Sequence, residues 1–126
     1  MPHTIIYNSE TQAIEMRARG DLNLAEAKEI ILEMARMATE KNCQLLLSDY
    51  REAVIAMTTL EIYELPKLVA NMVTPLGVNI YRIKRAIIAN KGAKNLPFFE
   101  TVTANSGQNA KLFYDIDQAK KWLFGT

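Results

Sequence analysis

The chain has 126 residues, which is the usual size of one domain, and we predict a single domain over residues 1–126. Its 15 Lys and Arg residues nearly balance its 14 Asp and Glu residues, and the net charge of +1 excludes the positive field typical of nucleic-acid-binding domains. One cysteine cannot form an internal disulfide, no apolar run reaches about 18 residues, and the first residues lack the features of a signal peptide, so we expect a cytoplasmic protein without integral membrane association.

The amino-terminal part predicts a hairpin followed by a helix. Thr4–Tyr7 and Gln12–Arg19 are the two strands, and a Gly-Asp-Leu sequence breaks the second one. Asn23 and Glu26 are spaced to cap a helix reciprocally, and its apolar stripe continues to about Lys41. The first strand is expected at a sheet edge, where it could pair with a second copy in a homodimer.

The stretch Cys43–Tyr50 contains three consecutive leucines. An apolar run without alternation needs cover on both faces, which is typical of an interior strand in an α/β sheet. This places Asp49 at the carboxyl end of the strand, the edge at which ligands of open α/β sheets usually bind. We interpret Tyr50–Met57 as a loop or a short extra turn.

A second helix is predicted to begin after Thr58. Thr58 and Glu61 repeat the reciprocal capping pattern, and apolar residues follow at helical spacing. Pro66 lies inside this pattern, where it removes a backbone hydrogen bond, so we expect a kink or two helical pieces. Pro75 and Gly77 end the segment.

Another unalternated apolar run, Arg85–Asn90, predicts a second interior strand parallel to the first. Lys91–Asn95 is interpreted as a loop, and a third helix is expected to begin near Leu96 with Phe99 facing inward. The most direct test of this arrangement is Ile87, which must be buried if the run is an interior strand.

Lys111–Tyr114 predicts a last strand, and Asp115 with Gln118 predicts the cap of a last helix that buries Ile116. The fold class is therefore α/β. An N-terminal β-hairpin precedes alternating helices and strands, which gives a mixed sheet of about five strands flanked by about four helices. The alternation predicts parallel pairing after the hairpin, with right-handed crossovers.

An enzymatic alternative rests on Asp49 and Lys91. Asp49 ends a buried strand as the phosphate-accepting aspartate of receiver domains does, and Lys91 follows another strand as their lysine does. A receiver needs further acids to hold magnesium, whereas the hairpin turn at 8–10 reads Asn-Ser-Glu. We favour the interpretation in which Asp49 caps the following loop through neighbouring amides.

Two helix starts are candidate anion sites. Thr58 and Thr59 open a helix, where a phosphate would face amide donors and a favourable dipole. The simpler interpretation is that Thr58 only caps its helix. Lys91, Lys94 and Asn95 could form a small anion site before the third helix, and a solvated loop is the favoured alternative.

Aromatic residues near the strand ends could line an apolar pocket or a partner surface. Two adjacent phenylalanines on one helix cannot both face the same core, so one of Phe98 and Phe99 is a candidate to face a cavity, with ordinary packing as the alternative. His3 and Cys43 are the only residues of their kinds and cannot by themselves form a structural zinc site. No cofactor or metal is expected.

The pattern of elements has a known counterpart. The chain is similar to the STAS superfamily in three places. These are the opening hairpin, the strand Leu45–Asp49 followed by a helix at Thr58, and a tail with Phe98–Val102, Leu112–Asp115 and Trp122. Within this superfamily the chain resembles the SpoIIAA-like group, named after the antagonist of an anti-sigma factor. The resemblance covers nearly the whole chain.

The resemblance implies protein or small-ligand binding rather than catalysis. Antagonist members carry an Asp-Ser-Ser-Gly-type sequence in which the regulatory serine opens a helix, whereas residues 57–60 here read Met-Thr-Thr-Leu. Thr58 and Thr59 are therefore the only positions to which a phospho-switch can be transferred. Some STAS-like proteins also resemble CRAL-TRIO lipid carriers, which implies an alternative role as a carrier or sensor of a small apolar or amphipathic ligand.

We expect a non-enzymatic regulatory or protein-interaction module that binds a protein partner. The predicted partner or ligand surface lies where two interior strands end beside two helix starts. It consists of Asp49, Tyr50, Arg51, Lys91, Lys94, Asn95 and Phe98.

Overall fold

The structure is a computed structural model that describes residues 3–125. Its helices and strands alternate in the predicted order. They are β1 (His3–Asn8), β2 (Ala13–Leu22), α1 (Leu24–Lys41), β3 (Leu45–Ile55), α2 (Thr59–Val73), β4 (Lys84–Ile88), α3 (Leu96–Asn105), β5 (Asn109–Phe113) and α4 (Ile116–Phe124). Two short 3-10 helices, Thr74–Leu76 and Ile80–Arg82, lie between α2 and β4.

The five strands form one mixed sheet in the order β1-β2-β3-β4-β5. β1 and β2 are antiparallel, and each later neighbouring pair is parallel. The predicted hairpin, the mixed sheet and the edge position of β1 are confirmed. Ile87 in β4 is 2% exposed, so the two apolar runs are interior neighbours as predicted.

Helices cover the two faces of the sheet unequally. Helices α1, α2 and α3 pack on one face, called here the three-helix face, against side chains such as Met16, Leu46 and Ile87. Helix α4 packs alone on the opposite face, called the α4 face, against Leu47 and Ile88. Because β3 and β4 are covered on both sides, their sequences lack the polar alternation of β2.

Predicted caps form at the helix starts, with two differences in detail. Thr58 Oγ1 accepts from the Glu61 amide at 3.1 Å, and the Glu61 carboxylate accepts from the Thr58 amide at 2.8 Å, which completes the capping box. Asn23 accepts from the Glu26 amide at 2.9 Å, but among residues 3–125 no return bond from the Asn23 amide to the Glu26 carboxylate is found, so the box is only half formed. Asp115 caps α4 through the amide of residue 117 rather than through Gln118, and Ile116 is half-buried.

β2 and β3 extend well beyond their predicted carboxyl ends. β3 continues to Ile55, so the loop predicted at Tyr50–Met57 is wrong, and β2 continues to Leu22 through Gly20. The reason is mutual pairing, since Leu22 lies beside Ile55 in the parallel register. Backbone hydrogen bonds to β2 order a segment whose own side-chain pattern is not typical of a strand.

The register between β2 and β3 shifts at one point. Arg17 pairs with Asp49, whereas Arg19 pairs with Glu52, so two residues of β3 lie opposite one residue of β2. Such a bulge turns the following side chains to the opposite face. Because β3 continues to Ile55, Asp49 is not at the end of the strand as predicted, although it lies level with Ile88 at the end of β4.

Helix α2 is continuous through Pro66, so a division into two pieces is not observed. The ring of Pro66 is fully buried. Its carbonyl accepts a hydrogen bond at 2.8 Å from the side chain of Gln108, which follows α3. The packing of the Pro66 ring and the hydrogen bond from Gln108 offset the backbone hydrogen bond that proline removes from the helix.

Candidate functional site

The bulge in β3 carries a compact charged group on the α4 face, called here the Asp49 cluster and formed by Arg17, Asp49 and Arg51. Asp49 accepts from Arg51 at 3.0 Å through Nε, 2.8 Å through Nη2 and 3.0 Å through the backbone amide. Nε of Arg17 lies 3.6 Å from the same carboxylate. The adjacent Asn90 side chain donates to the Arg51 carbonyl at 2.6 Å and ties the end of β4 to the bulge.

The electrostatics of the Asp49 cluster favour a structural ion pair. Burial alone would raise the pKa of Asp49, but the hydrogen bonds and charge of Arg51, with the charge of Arg17, hold this pKa below its ordinary value. Asp49 is therefore ionised at neutral pH and its oxygens are engaged by arginine donors. Lys91 is exposed in the next loop, and both charged partners of Asp49 are arginines.

A groove of about 360 Å³ adjoins the Asp49 cluster on the α4 face. Residues of β1, β2 and α4 line it, and Asp49 and Lys120 are among its charged wall residues. Ile6 of β1 contributes to its wall and is 55% exposed. The part of the sheet formed by β1 and β2 is open here because α4 packs over β3 to β5.

Tyr50 and Asp49 lie on opposite faces of the sheet. The residues of the predicted partner or ligand surface therefore do not form one continuous surface. On the three-helix face, Tyr50 lines a cavity of about 60 Å³ between helices α1 to α3 and the sheet. Its other polar wall residues are Ser48, Arg85 and Asn95, and its remaining walls are apolar. Burial raises the pKa of the Tyr50 phenol, and the charge of Arg85 and the side chain of Ser48 only partly offset that effect.

Arg85 is the most unusual side chain of this cavity and was not predicted as a site residue. It is 9% exposed and donates from Nη2 to the Gln108 side chain at 2.7 Å, while its buried Nε has no partner within residues 3–125. Burial lowers its pKa to about 10, so it remains protonated at neutral pH. The sequence signal was a lone charge in a strand covered on both faces, because arginine is rarely buried unless it is paired.

The loop and helix after β4 contribute to the cavity in part. Lys91 and Lys94 are exposed and lie outside its walls, whereas Asn95 lines it and precedes α3 with a φ of 73°. Of the two adjacent phenylalanines, Phe99 lines the cavity and Phe98 is half-buried elsewhere. The expectation that one of the pair faces a cavity therefore applies to Phe99.

The start of α2 forms a separate exposed surface. Thr58 and Thr59 are both exposed at the helix start. Leu60 and Tyr63 follow at a spacing of three residues, and each is 64% exposed. Large apolar side chains three positions apart lie on the same side of a helix, so these two residues form an apolar surface beside the threonines. We call the four residues the α2 tip.

His3 and Cys43 are separated by the structure. Nε2 of His3 lies 3.1 Å from the carboxylate of Glu33, whereas Cys43 is buried and its thiol donates to the Gln12 carbonyl at 3.3 Å. Within residues 3–125, no group of three potential metal-ligating side chains is found. In the same part of the chain, no helix combines the length and apolarity that a membrane span requires.

The sequence matches no family model and no curated protein. Solved structures are similar over almost the whole chain. One is an uncharacterized DUF3478-family protein with a SpoIIAA-like fold from Shewanella loihica PV-4, with 20% identity, a TM-score of 0.58, and coverage of 97% of this chain and 92% of that one. An anti-sigma factor antagonist from Mycobacterium paratuberculosis has 13% identity, a TM-score of 0.60 and coverages of 97% and 94%.

The unphosphorylated anti-sigma factor antagonist SpoIIAA shares 10% identity with this chain, with a TM-score of 0.57 and coverages of 99% and 100%. The Bacillus cell fate determinant SpoIIAA in its phosphorylated form is also similar, with 8% identity, a TM-score of 0.53 and coverages of 96% and 99%. Together these likenesses show that the chain has the SpoIIAA-like fold.

Proposed function

We propose that this chain, which has the SpoIIAA-like fold, is a non-enzymatic regulatory module that binds a protein partner. Two proteins of the same fold are described as antagonists of an anti-sigma factor, a role exercised on another protein. A fold does not by itself fix a function, so the proposal depends on a surface suited to a partner.

The α2 tip is the surface that supports the proposal. Its single most informative feature is the pair Leu60 and Tyr63, each 64% exposed and one helical turn apart. Tyrosine is enriched at the centres of protein interfaces because it buries a large apolar area and keeps a polar end. The capping box of Thr58 and Glu61 fixes the backbone of this turn, so a partner would meet a preorganised surface.

A phosphate at the α2 tip would change the charge of the same surface. Thr58 Oγ1 already accepts from the Glu61 amide, and a phosphate there would face the Glu61 carboxylate that completes the box. Thr59 is exposed at the first helical position, so we favour it as the modified residue. The existence of SpoIIAA structures in phosphorylated and unphosphorylated forms supports a switch of this kind.

A lipid-carrier role is not proposed, because a cavity of about 60 Å³ is far smaller than pockets that hold drug-sized ligands. Pairing of β1 with a second copy and a cytoplasmic location stay predictions.

The test is affinity capture with tagged protein, quantified by mass spectrometry. A double variant, Leu60→Ser with Tyr63→Ser, is expected to reduce capture of the specific partner by at least about tenfold, since losing interface anchors typically costs more than about 1.4 kcal/mol. Tyr81→Ser is the matched control, because Tyr81 is 59% exposed but lies in the 3-10 helix before β4.

Unfolding curves of the variants must first show that all of them are folded. Capture of the same partners at the same level by the double variant would show that the α2 tip is not the interface. A Thr59→Glu variant then tests whether negative charge at this surface weakens the partner's retention.

A further inference from the structure

Arg85 is a buried charge without a counter-charge. Among residues 3–125, no carboxylate lies within 4.0 Å of its guanidinium, which donates to the neutral side chain of Gln108. A guanidinium has five N–H donors and tends to bind a carboxylate through two parallel hydrogen bonds. An ionised group that is removed from water without a partner strongly destabilises the folded state.

Arg85 also lies between two adjoining voids. It lines the cavity of about 60 Å³ described above and a second cavity of about 40 Å³. Ile31, Met34 and Val69 line both cavities, which places both voids beneath helices α1 and α2. One water needs about 10–15 Å³ of such volume, so the larger cavity holds a group of about four to six non-hydrogen atoms.

The polar groups of the larger cavity are few. Ser48 and Tyr50 provide hydroxyl groups, and Arg85 provides the positive charge. The other side chains of its wall are aliphatic or aromatic apart from Asn95. A pocket of this composition favours a ligand with one anionic end and a short apolar remainder.

We propose that the cavity beside Arg85 binds a small monocarboxylate with a short aliphatic chain, of about the size of propionate or butyrate. The carboxylate accepts hydrogen bonds from the Arg85 guanidinium and from the hydroxyls of Ser48 and Tyr50. The aliphatic chain occupies the apolar space beneath α1 and α2. This site is independent of the α2 tip, so either proposal can fail while the other holds.

A carboxylate fits this site better than a phosphate or a neutral ligand. One arginine supplies a single positive charge, which matches a monocarboxylate and leaves a phosphate dianion incompletely neutralised. A neutral molecule of the same shape leaves the charge of Arg85 unpaired. A bound carboxylate therefore supplies the counter-charge that Arg85 lacks in the ligand-free protein, and binding is expected to stabilise the fold.

The first experiment compares butyrate with butyramide by thermal unfolding at constant ionic strength, with sodium chloride as the reference. Butyrate at a tenfold excess over its dissociation constant is expected to raise Tm by about 5 °C, whereas butyramide gives no comparable rise. Octanoate tests the size of the site and is expected to bind more weakly than butyrate. The proposal would be overturned if butyrate and butyramide raised Tm equally. It would also be overturned if butyrate gave no rise in Tm at concentrations up to about 50 mM.

The second experiment uses Arg85→Met, with Arg82→Met as the matched control because Arg82 is exposed nearby in the chain. Arg85→Met is expected to abolish the butyrate shift while Arg82→Met retains it. The Tm of ligand-free Arg85→Met is expected to equal or exceed that of the unmodified chain, since an unpaired buried charge is replaced by an apolar side chain. An undiminished butyrate shift in Arg85→Met would refute the assignment.

A measurement on the unmodified protein keeps the proposal testable if Arg85→Met does not fold. The arginine Nε–H resonance of Arg85 in a ¹H–¹⁵N spectrum is expected to move on titration with butyrate and to stay in place with butyramide. A resonance that responds to neither compound would mean that water or chloride alone occupies the cavity, which contradicts the proposal.

Discussion

Asp49 and Arg85 are the charged side chains that the structure buries within residues 3–125, and they are stabilised differently. Asp49 has two arginines as partners, one of them bidentate. Arg85 has a neutral amide. Because the free energy of a buried charge depends on its pairing, we expect Asp49 to stabilise the fold and Arg85 to weaken it until an anion binds.

Replacement of Asp49 by Asn is expected to reduce the free energy of unfolding by about 1–3 kcal/mol at pH 7, because charge-assisted hydrogen bonds to Arg51 are lost. The pKa of Asp49 is lower in the folded chain than its ordinary value of 3.8, so the stabilisation is present above pH 3.8. It is lost as the pH falls through the folded pKa. Urea unfolding at pH 7, 5 and 3 should show the difference between the two proteins shrinking at the lowest pH.

Glu52→Gln is the matched control at the same bulge. The side chains of Glu52 and its partner Arg19 are 58% and 55% exposed, at a separation of 3.5 Å. Exposed ion pairs contribute little, so a change within about 0.5 kcal/mol is expected. A loss as large as that of Asp49→Asn would show that burial of Asp49 is not what makes its ion pair stabilising.

At the scale of single elements, α2 and β3 show what local sequence specifies and what it does not. The start of α2 could be predicted from the sequence, because a capping box needs only Thr58 and Glu61, three positions apart. The end of β3 could not be predicted from the sequence. Apolar and polar residues alternate only weakly over residues 51–55, and pairing with β2 orders this segment. Strand preference depends more on neighbouring strands than helix preference does on neighbouring helices.

Thr58→Ala is expected to lower the free energy of unfolding by about 1 kcal/mol, because the hydroxyl that accepts from the Glu61 amide is removed. Thr59→Ala, one position later, is expected to have little effect, since alanine favours the helix interior. Urea unfolding of the two variants at pH 7 measures both effects. Equal stabilities would show that the capping box contributes nothing to the fold.

At the scale of the whole molecule, the two halves of β3 differ in the number of neighbouring strands with which they pair. Leu46–Asp49 of β3 is paired with β2 on one side and with β4 on the other. The continuation Glu52–Ile55 is paired with β2 alone, because β4 ends at Ile88. Val54 in this continuation is 62% exposed. The two halves of one strand are therefore expected to differ in local stability.

Hydrogen exchange followed by NMR measures this difference. Amides of Leu46–Asp49 are expected to exchange only on global unfolding, and those of Glu52–Ile55 to exchange faster by local opening. The comparison uses amides that donate backbone hydrogen bonds in both segments, so that differences in hydrogen bonding do not dominate. Uniform protection along β3 would show that the β2–β3 pair is as stable beyond β4 as beside it.

The sequence by itself determined the order of elements, the two buried central strands and the residues at which α1, α2 and α4 are capped. These features depend on residues that lie within a few positions of one another, so periodicity and capping rules reveal them. Only the tertiary structure decided that β3 continues past Asp49 to Ile55, so that Asp49 and Tyr50 are neighbours in one strand and face opposite sides of the sheet.

The tertiary structure also decided the surroundings of Arg85. Its partner Gln108 lies 23 positions later in the chain. Gln108 in turn donates to the carbonyl of Pro66, which lies 42 positions before Gln108. Such contacts depend on how helices dock on the sheet, which no short-range pattern encodes. The charge of Arg85 was visible in the sequence, but its burial without a counter-charge became visible only when the chain was folded.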